Sequence, residues 1–327
     1  LFRIGIPEGK WMRYLVTGGA GFIGSNTVDE LVRRGHDVVV LDDLSTGNAA
    51  NLDQVKAKIR FIQDSITNLE ALREACRGVD CVIHLAAQTS VPRSVKDPIE
   101  TNLINVDGTL NVLVAAHDAK VKRVVFACSC AVYGITSVLP IKESASLAPI
   151  SPYGLSKQVG EAYGRVFQEL YGLEFVSLRY FNVFGPRQDP GSPYSGVLSI
   201  FNAALLGGTQ PTIYGDGEQS RDFVYVGNVV EAILLAAERK DAPGLALNIG
   251  TGDRYTLNQT LALLEKITGR PARAKYAAPR EGDIRDSQAD IGLAQKVLGY
   301  HPRFGFEEGL KRTWEWFCAA QNALSRP

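Results

Sequence analysis

The sequence predicts an α/β protein built on a doubly wound parallel sheet, with a smaller α/β lobe after it, and three observations carry that reading. From Met12 to about Tyr180, short apolar runs alternate with longer stretches of helical period, the pattern of βαβ units that feed a parallel sheet. Several runs are apolar throughout, Val38-Val39-Val40-Leu41 and Val124-Val125-Phe126-Ala127 among them, as strands covered on both faces must be. The 327 residues also exceed one domain of roughly 150 residues, and the texture changes beyond residue 180, with Pro, Gly and Ser clustered over 186–196.

In chain order, the spacing predicts a strand over 13–17, a helix over 22–34 closed by Gly35, and a strand over 37–41. A strand over 59–63, a helix over 68–76 that starts at Asn68, and a strand over 81–85 follow. A long helix over 99–118 leads to a strand over 123–129. The next helix, 152–171, places Pro152 in its first turn, where the missing N–H is harmless. A strand over 174–180 completes the run. Two later segments, 223–235 and 246–249, read as a helix and a strand that return to the main sheet. The expected organisation is a nucleotide-type domain over 12–180 with returning segments near 223–250, and a lobe mainly over 181–327. Residues 1–11 show no period and precede the only methionine, Met12. They read as a cloning scar, a mis-called start or a disordered extension, and are left out of the fold.

Composition narrows the function. Apolar residues make up 45% and charged residues 21%, which excludes disordered, collagenous and low-complexity chains. Lys+Arg and Asp+Glu number 35 each, so the net charge is zero, and without a basic block no nucleic-acid partner is expected. No apolar run approaches the roughly 18 residues of a membrane span, and no signal peptide is legible. The expectation is a soluble cytoplasmic protein without a membrane partner. Cys76, Cys81, Cys128, Cys130 and Cys318 form an odd set without ligand-like spacing, read as buried reduced thiols with no metal.

The first strand runs into Thr17-Gly18-Gly19-Ala20-Gly21-Phe22-Ile23-Gly24 and then a helix. Glycines in that register permit a tight turn, close approach of a pyrophosphate and close helix packing, with the helix N-terminus facing the anion. Asp42, eighteen residues past Gly24 at the end of the second strand, matches the carboxylate that accepts from ribose hydroxyls and repels a 2′-phosphate. NAD is favoured over NADP. A single Tyr-x-x-x-Lys, Tyr153 to Lys157, lies at the start of a predicted helix where residues i and i+4 share a face. The motif is short enough to arise by chance. Its weight comes from Ser129, which ends a strand at the carboxyl edge of the sheet. Ser129, Tyr153 and Lys157 would converge on one hydroxyl, with Tyr153 removing its proton, Lys157 favouring the phenolate and Ser129 bonding the oxygen.

With those residues in place, the chain resembles the extended short-chain dehydrogenase/reductases, and within them the nucleotide-sugar 4-epimerases, which have a Rossmann domain and a smaller substrate-binding lobe. The motifs run from TGGAGFIG at 17–24 and LDDLSTG at 41–47 through HLAAQTSVPRS at 84–94 and NVDGTLN at 105–111. They continue with SCAVYG at 129–134, SPYGLSK at 151–157, LRYFNVFGPRQDP at 178–190, GDGEQSRDFVYV at 215–226 and PREGDIRDSQAD at 279–290. The nearest likeness is to bacterial UDP-N-acetylglucosamine and UDP-glucose 4-epimerases. The resemblance implies cofactor contacts at Gly18, Gly21, Phe22, Ile23, Asp42, Asp43, Asp64, Ala86, Asn105, Tyr153, Lys157 and Tyr180. It implies substrate contacts at Ser90 and Ser129 for the hexose, Asn182 for the diphosphate or sugar, and Tyr214 for uracil. Arg221 and Arg280 would meet the diphosphate, Asp283 the uridine ribose, and Ser287 the space beside C2 of the sugar.

The reaction so implied is NAD-dependent epimerisation at C4 of a UDP-hexose through a 4-keto sugar, an isomerase activity, and the expected assembly is a homodimer. An enzyme restricted to non-acetylated hexoses, or a UDP-glucuronate 4-epimerase or decarboxylase, is the alternative. A 4,6-dehydratase needs an acid and a base just after the catalytic serine, which Cys130-Ala131 do not supply. A non-catalytic NAD-sensing module would not need Ser129, Tyr153 and Lys157 together.

Overall fold

The computed structural model describes residues 12–189, 196–279 and 284–324. The elements run β1 (Arg13–Thr17), α1 (Phe22–Arg33), β2 (Asp37–Leu41), β3 (Ile59–Ile62), α2 (Leu69–Ala75), β4 (Cys81–His84), α3 (Val91–Lys96), α4 (Pro98–Asn102), α5 (Gly108–Asp118), β5 (Arg123–Ser129), α6 (Pro152–Tyr171) and β6 (Glu174–Tyr180). Shorter pieces follow: β7 (Asn182–Phe184), α7 (Val197–Leu206), β8 (Thr212–Tyr214), β9 (Ser220–Arg221), β10 (Phe223–Tyr225), α8 (Val226–Glu238), β11 (Ala246–Ile249), β12 (Tyr255–Thr256), α9 (Leu257–Thr268), β13 (Lys275–Ala277), α10 (Gly292–Leu298) and α11 (Phe306–Leu324).

Seven strands form one parallel sheet in the order β11-β6-β5-β4-β1-β2-β3. The chain winds outward from β1 to β3, then crosses back to β4 and winds the other way. That reversal opens a crevice at the carboxyl ends of β1 and β4, where ligands of open α/β sheets bind. Alternate side chains feed two separate apolar layers. Tyr14, Val16 and Val125 join residues of α1 and α8, while Leu15, Val82 and Val124 join those of α2 and α5. Each such aliphatic residue, taken fully from water, contributes roughly 1.5 to 3 kcal/mol, which is why these strands read as continuous apolar runs. The remaining strands pair as β7–β10, β9–β12 and β8–β13.

Most predicted elements match within a residue at either end. Asn68 caps α2, its side chain accepting from Ala71 N. Two expectations need correction. The helix expected over 99–118 is α4, a π-helical turn at Leu103–Asp107 and then α5, with Gly108 N bonded five residues back to Leu103 O. One extra residue in the turn swings Asn105 inward, and periodicity carries no mark of such an insertion. The segment 223–235 starts as strand β10, paired with β7, and turns helical only at Val226. Cys76, Cys81 and Cys128 are buried as expected, whereas Cys130 and Cys318 are half-buried, and all five are free. Among the described residues, no helix is long and apolar enough to cross a membrane.

One buried ion pair fixes α6 on the sheet. Arg179 on β6 bonds Glu161 through Nε at 3.0 Å and Nη2 at 2.5 Å, with side chains only 5% and 10% exposed. Arg179 Nη1 also donates to Tyr133 Oη at 2.9 Å, and that hydroxyl donates to Asn248 Oδ1 on β11 at 2.7 Å. Burial by itself would raise the Glu161 carboxyl, but Arg179 and Ser177 outweigh it and hold its pKa below the ordinary value. Its stabilising effect is therefore complete above the usual glutamate pKa of about 4.3 and is lost as pH falls below that. Arg179→Met should lower the unfolding free energy at neutral pH by about 3 to 5 kcal/mol, because it strands a buried carboxylate. Urea titration measures this, and Glu161→Gln should lose less stability than wild type between pH 5 and pH 3, on the order of the one missing titration.

Candidate active site

The glycine turn follows Thr17 directly. Gly18 adopts φ +69°, and a Cβ there would lie 2.7 Å from Ala86 N. A Cβ on Gly24 would fall 2.0 Å from Gly18 O, so α1 reaches the turn only without one. The N-terminus of α1, at Gly21, has no side-chain cap and no acid in its first turn, which leaves the positive end of the helix, with Phe22 and Ile23, facing outward for an anion. Asp42 closes the far side. Ala20 N donates to its Oδ2 at 2.9 Å and Leu44 N to its Oδ1 at 2.8 Å, so the carboxylate is aimed by backbone. Burial raises its pKa against those bonds. Asp43, exposed, accepts from Ser45 N, and Asp64, two residues past β3, accepts from Ser65 N and Asn68 Nδ2.

Tyr180 ends β6 in register with Ser129, and its buried hydroxyl has no hydrogen-bond partner among the described residues. An outward helix N-terminus, an aimed carboxylate and an orphaned phenol at one sheet edge fit a dinucleotide.

Ser129 closes β5 and accepts from Ala131 N at 3.2 Å, capping the short turn Cys130–Tyr133. Helix α6 begins beside that turn. Ser151 caps it by accepting from Gly154 N at 3.1 Å, and Tyr153 N donates to Ser94 Oγ at 3.1 Å. A Cβ on Gly154 would lie 2.7 Å from Ala131 O, so glycine lets the first turn of α6 close on Ser129. The Ser129 side chain lies close enough to the Tyr153 hydroxyl to lower its pKa. One turn on, the buried Lys157 donates from Nζ to Ala127 O at 2.8 Å, with Nζ 6.0 Å from the Tyr153 ring centre.

Burial pulls the Lys157 ammonium down to about 8, which leaves it cationic at neutral pH. Burial pushes the Tyr153 phenol up, and only the Ser129 side chain opposes this. The resting site is a neutral phenol beside a cation, and a second positive charge would favour the phenolate. Cys130 is held as a neutral thiol, pushed to about 12 by burial and then by Asp222, with Arg221 opposing.

Of the residues expected to meet the substrate, Asn182 and Ser287 come together, Asn182 Nδ2 donating to Ser287 Oγ at 3.2 Å. Asp222 joins them through its backbone, its O accepting from Asn182 N at 3.0 Å and its N donating to Ser287 O at 2.9 Å. Its carboxylate accepts from Thr251 N, Thr251 Oγ1, Gly252 N and Ala289 N at 2.8 to 3.1 Å. Arg221 Nη1 donates to Ser220 O and Arg285 O. Tyr214 ends the edge strand β8 with its ring partly exposed. Ser90 caps α3, accepting from Arg93 N at 3.1 Å. Arg280 and Asp283 lie outside the described residues. The Asn105 side chain bonds Gln88 N, Gln88 O and Ser156 Oγ, and Ala86 N donates to Thr17 Oγ1 at 3.3 Å.

Sequence reasoning missed Asp222, Ser156, Ser94 and His84. Each sits within or beside a quoted motif, but at least one of its partners lies far away in the chain.

The profile of the NAD dependent epimerase/dehydratase family matches residues 14–250. A putative UDP-glucose 4-epimerase of Methanocaldococcus jannaschii is 42% identical over 304 residues, 92% of this chain and 97% of that one. Among solved structures, UDP-N-acetylglucosamine 4-epimerase from Methanobrevibacter ruminantium M1, in complex with UDP-N-acetylmuramic acid, superposes with a TM-score of 0.91 at 39% identity. The match covers 95% of this chain and 100% of that one. UDP-glucose 4-epimerase from Thermotoga maritima, with UDP-glucose, gives 0.90 at 42% identity over the same shares, and the Thermus thermophilus UDP-glucose 4-epimerase complex with NAD gives 0.86 at 39%, over 94% and 100%. With a Rossmann sheet, a family match across most of its length and full-length relatives at this identity, the chain belongs to the NAD dependent epimerase/dehydratase family.

Proposed function

We propose that this protein is a UDP-hexose 4-epimerase that holds NAD throughout its cycle and interconverts UDP-GlcNAc with UDP-GalNAc as well as UDP-Glc with UDP-Gal. The observation that carries the reading is the convergence of Ser129 and Lys157 on Tyr153, the Ser129 side chain lowering the phenol pKa and the Lys157 ammonium lying 6.0 Å from the ring centre, at the sheet edge that also presents Asp42 and the bare end of α1. Gly18, Gly21, Phe22 and Ile23 would hold the pyrophosphate of NAD, Asp42 and Asp43 its ribose, and Asp64 its adenine. Ala86, Asn105, Tyr153, Lys157 and Tyr180 would bound the nicotinamide half. Bound there, NAD would supply a hydride acceptor for sugar C4 and a donor for the hydride's return to the opposite face.

Tyr153 takes the C4 hydroxyl proton and later returns it, while the Lys157 charge stabilises the phenolate. Ser129 bonds the C4 oxygen as it becomes a carbonyl. The sugar must turn over while the nucleotide stays put. Arg221 and Arg280 would grip the diphosphate, Asp283 and Tyr214 the uridine, and Asn182, Ser90 and Ser287 the sugar side.

The neutral thiol of Cys130 and the methyl of Ala131 occupy the place where a dehydratase needs its acid and base, which argues against C6 elimination. Exposed Ile99, Leu103, Leu155, Val166 and Leu170 on α4, the π turn and α6 support a homodimer formed through these helices. Five free cysteines favour a reducing compartment, the cytoplasm.

Three measurements test the reading. Tyr153→Phe should fold and bind NAD yet lose about 10²-fold or more in turnover; a loss of about threefold or less, on the same expectation, would sink the assignment. The purified protein should carry NAD and turn over without added cofactor, whereas stoichiometric build-up of NADH would indicate a dehydrogenase. Ser287 is buried against Asn182, and a side chain this small would leave room for an acetamido group beside it. Ser287→Tyr should overpack that space by roughly 1 to 3 kcal/mol and depress conversion of the N-acetylated pair by about ten- to a hundredfold relative to the plain pair. Chromatography of both UDP-sugar pairs reads the result, and an unchanged ratio refutes the role given to Ser287.

A further inference from the structure

His84 ends β4 with its imidazole buried between two threonines. Nδ1 lies 2.8 Å from Thr17 Oγ1 at the end of β1, and Nε2 lies 3.0 Å from Thr109 Oγ1 on α5. A hydroxyl has one proton, and that of Thr109 goes to the backbone carbonyl oxygen of Asn105 at 2.6 Å. Thr109 Oγ1 therefore meets Nε2 as an acceptor, and Nε2 must carry hydrogen. At the other nitrogen, Ala86 N donates to Thr17 Oγ1 at 3.3 Å, which leaves the Thr17 proton for Nδ1. Donors and acceptors match along the whole chain only when the ring is neutral. An imidazolium would leave the Thr17 proton without this acceptor, and burial, with the Lys157 ammonium nearby, holds the imidazole pKa down at about 3.

The chain continues beyond Asn105. The π turn points its side chain at Gln88 N and O and at Ser156 Oγ, 3.0 Å away, and Ser156 Oγ in turn donates to Tyr153 O at 2.8 Å. The hydrogen bonds thus run in one sense from the backbone beside the glycine turn, through the ring, to the π turn, whose amide holds the catalytic helix between Tyr153 and Lys157.

We propose that His84 is a positioning residue: as the neutral Nε2–H tautomer it joins the strand beneath the dinucleotide cradle to the helix that carries Tyr153 and Lys157, and so fixes the two halves of the site relative to each other. The kinetic part of the test rests on the 4-epimerase reading, and the spectroscopic part does not. Long-range ¹H–¹⁵N correlation on the cofactor-loaded protein at pH 7, with His84 assigned among the four histidines by loss of its signals in His84→Gln, should show hydrogen on Nε2 and a bare Nδ1. An Nδ1–H ring or an imidazolium overturns the proposal.

Thr109→Val removes the acceptor at nearly constant shape, and Thr109→Ser keeps it. The valine variant should lose about ten- to a hundredfold in kcat, the cost of a small misplacement, with KM for the UDP-hexose within about threefold, and serine should restore kcat to within about threefold. Equal kcat in the valine variant and wild type, or equal losses in both variants, overturns the proposal. If Thr109→Val does not fold, Thr17→Val against Thr17→Ser is read in the same way. Wild-type protein inactive on every UDP-hexose would refute the proposed reaction while the spectrum still decided the tautomer.

Discussion

A parallel sheet covered on both faces leaves polar chemistry one place to go, the edge where its strands end. Here β1, β2, β4, β5 and β6 finish in Thr17, Leu41, His84, Ser129 and Tyr180, and four of those five residues carry a hydroxyl or an imidazole. The reversal of strand order between β1 and β4 sets two of these ends side by side. Everything that touches the candidate chemistry hangs from this edge. The glycine turn leaves β1, the carboxylate of Asp42 follows β2, and α6 is drawn against the turn that follows β5.

Holding α6 there takes two unlike devices. Near its start, glycine at 154 removes a steric obstacle to the Ser129 turn. Two turns past Tyr153, a buried guanidinium–carboxylate pair anchors the helix to β6. Such a pair stabilises little relative to an apolar replacement but is costly to break on one side only, so it specifies position more than it adds stability. The segments beyond β6 use the same logic with backbone donors. Asp222 gathers amides from 251–252 and 289 around one carboxylate and in doing so sets Asn182 against Ser287.

The parts legible in the sequence are those whose determinants are local. The apolar runs, the glycine turn and the four-residue spacing of Tyr153 and Lys157 each lie within one element, and their periods or spacings are fixed by strand and helix geometry. The end of strand β11 is likewise marked, because its short run stops at Gly250. What could not be read is contact between remote segments. His84 finds partners 67 residues before it and 25 after it, and Asn182 meets Ser287 across 105 residues. The π turn escaped for a different reason: a single widened turn leaves composition and apolar spacing almost unchanged, so 99–118 looked like one helix. The short strand β10 escaped because three residues carry too little period to separate from the helix that follows.

Strand β11 has a consequence for how the chain comes to be folded. It supplies one of the two outermost strands of the main sheet, pairing Ala246 to Ile249 with Ser177 to Tyr180, yet it lies more than sixty residues after β6 in the chain. Until residue 249 has left the ribosome, β6 offers an unpaired row of amides and carbonyls to whatever strand is near, the situation that invites edge-to-edge association. Tyr133 Oη also lacks its Asn248 acceptor until then, so the polar cluster around Arg179 stays incomplete. Synthesis of the first 180 residues therefore leaves β6 as an edge of the sheet, and the late-arriving segment moves that edge outward to β11.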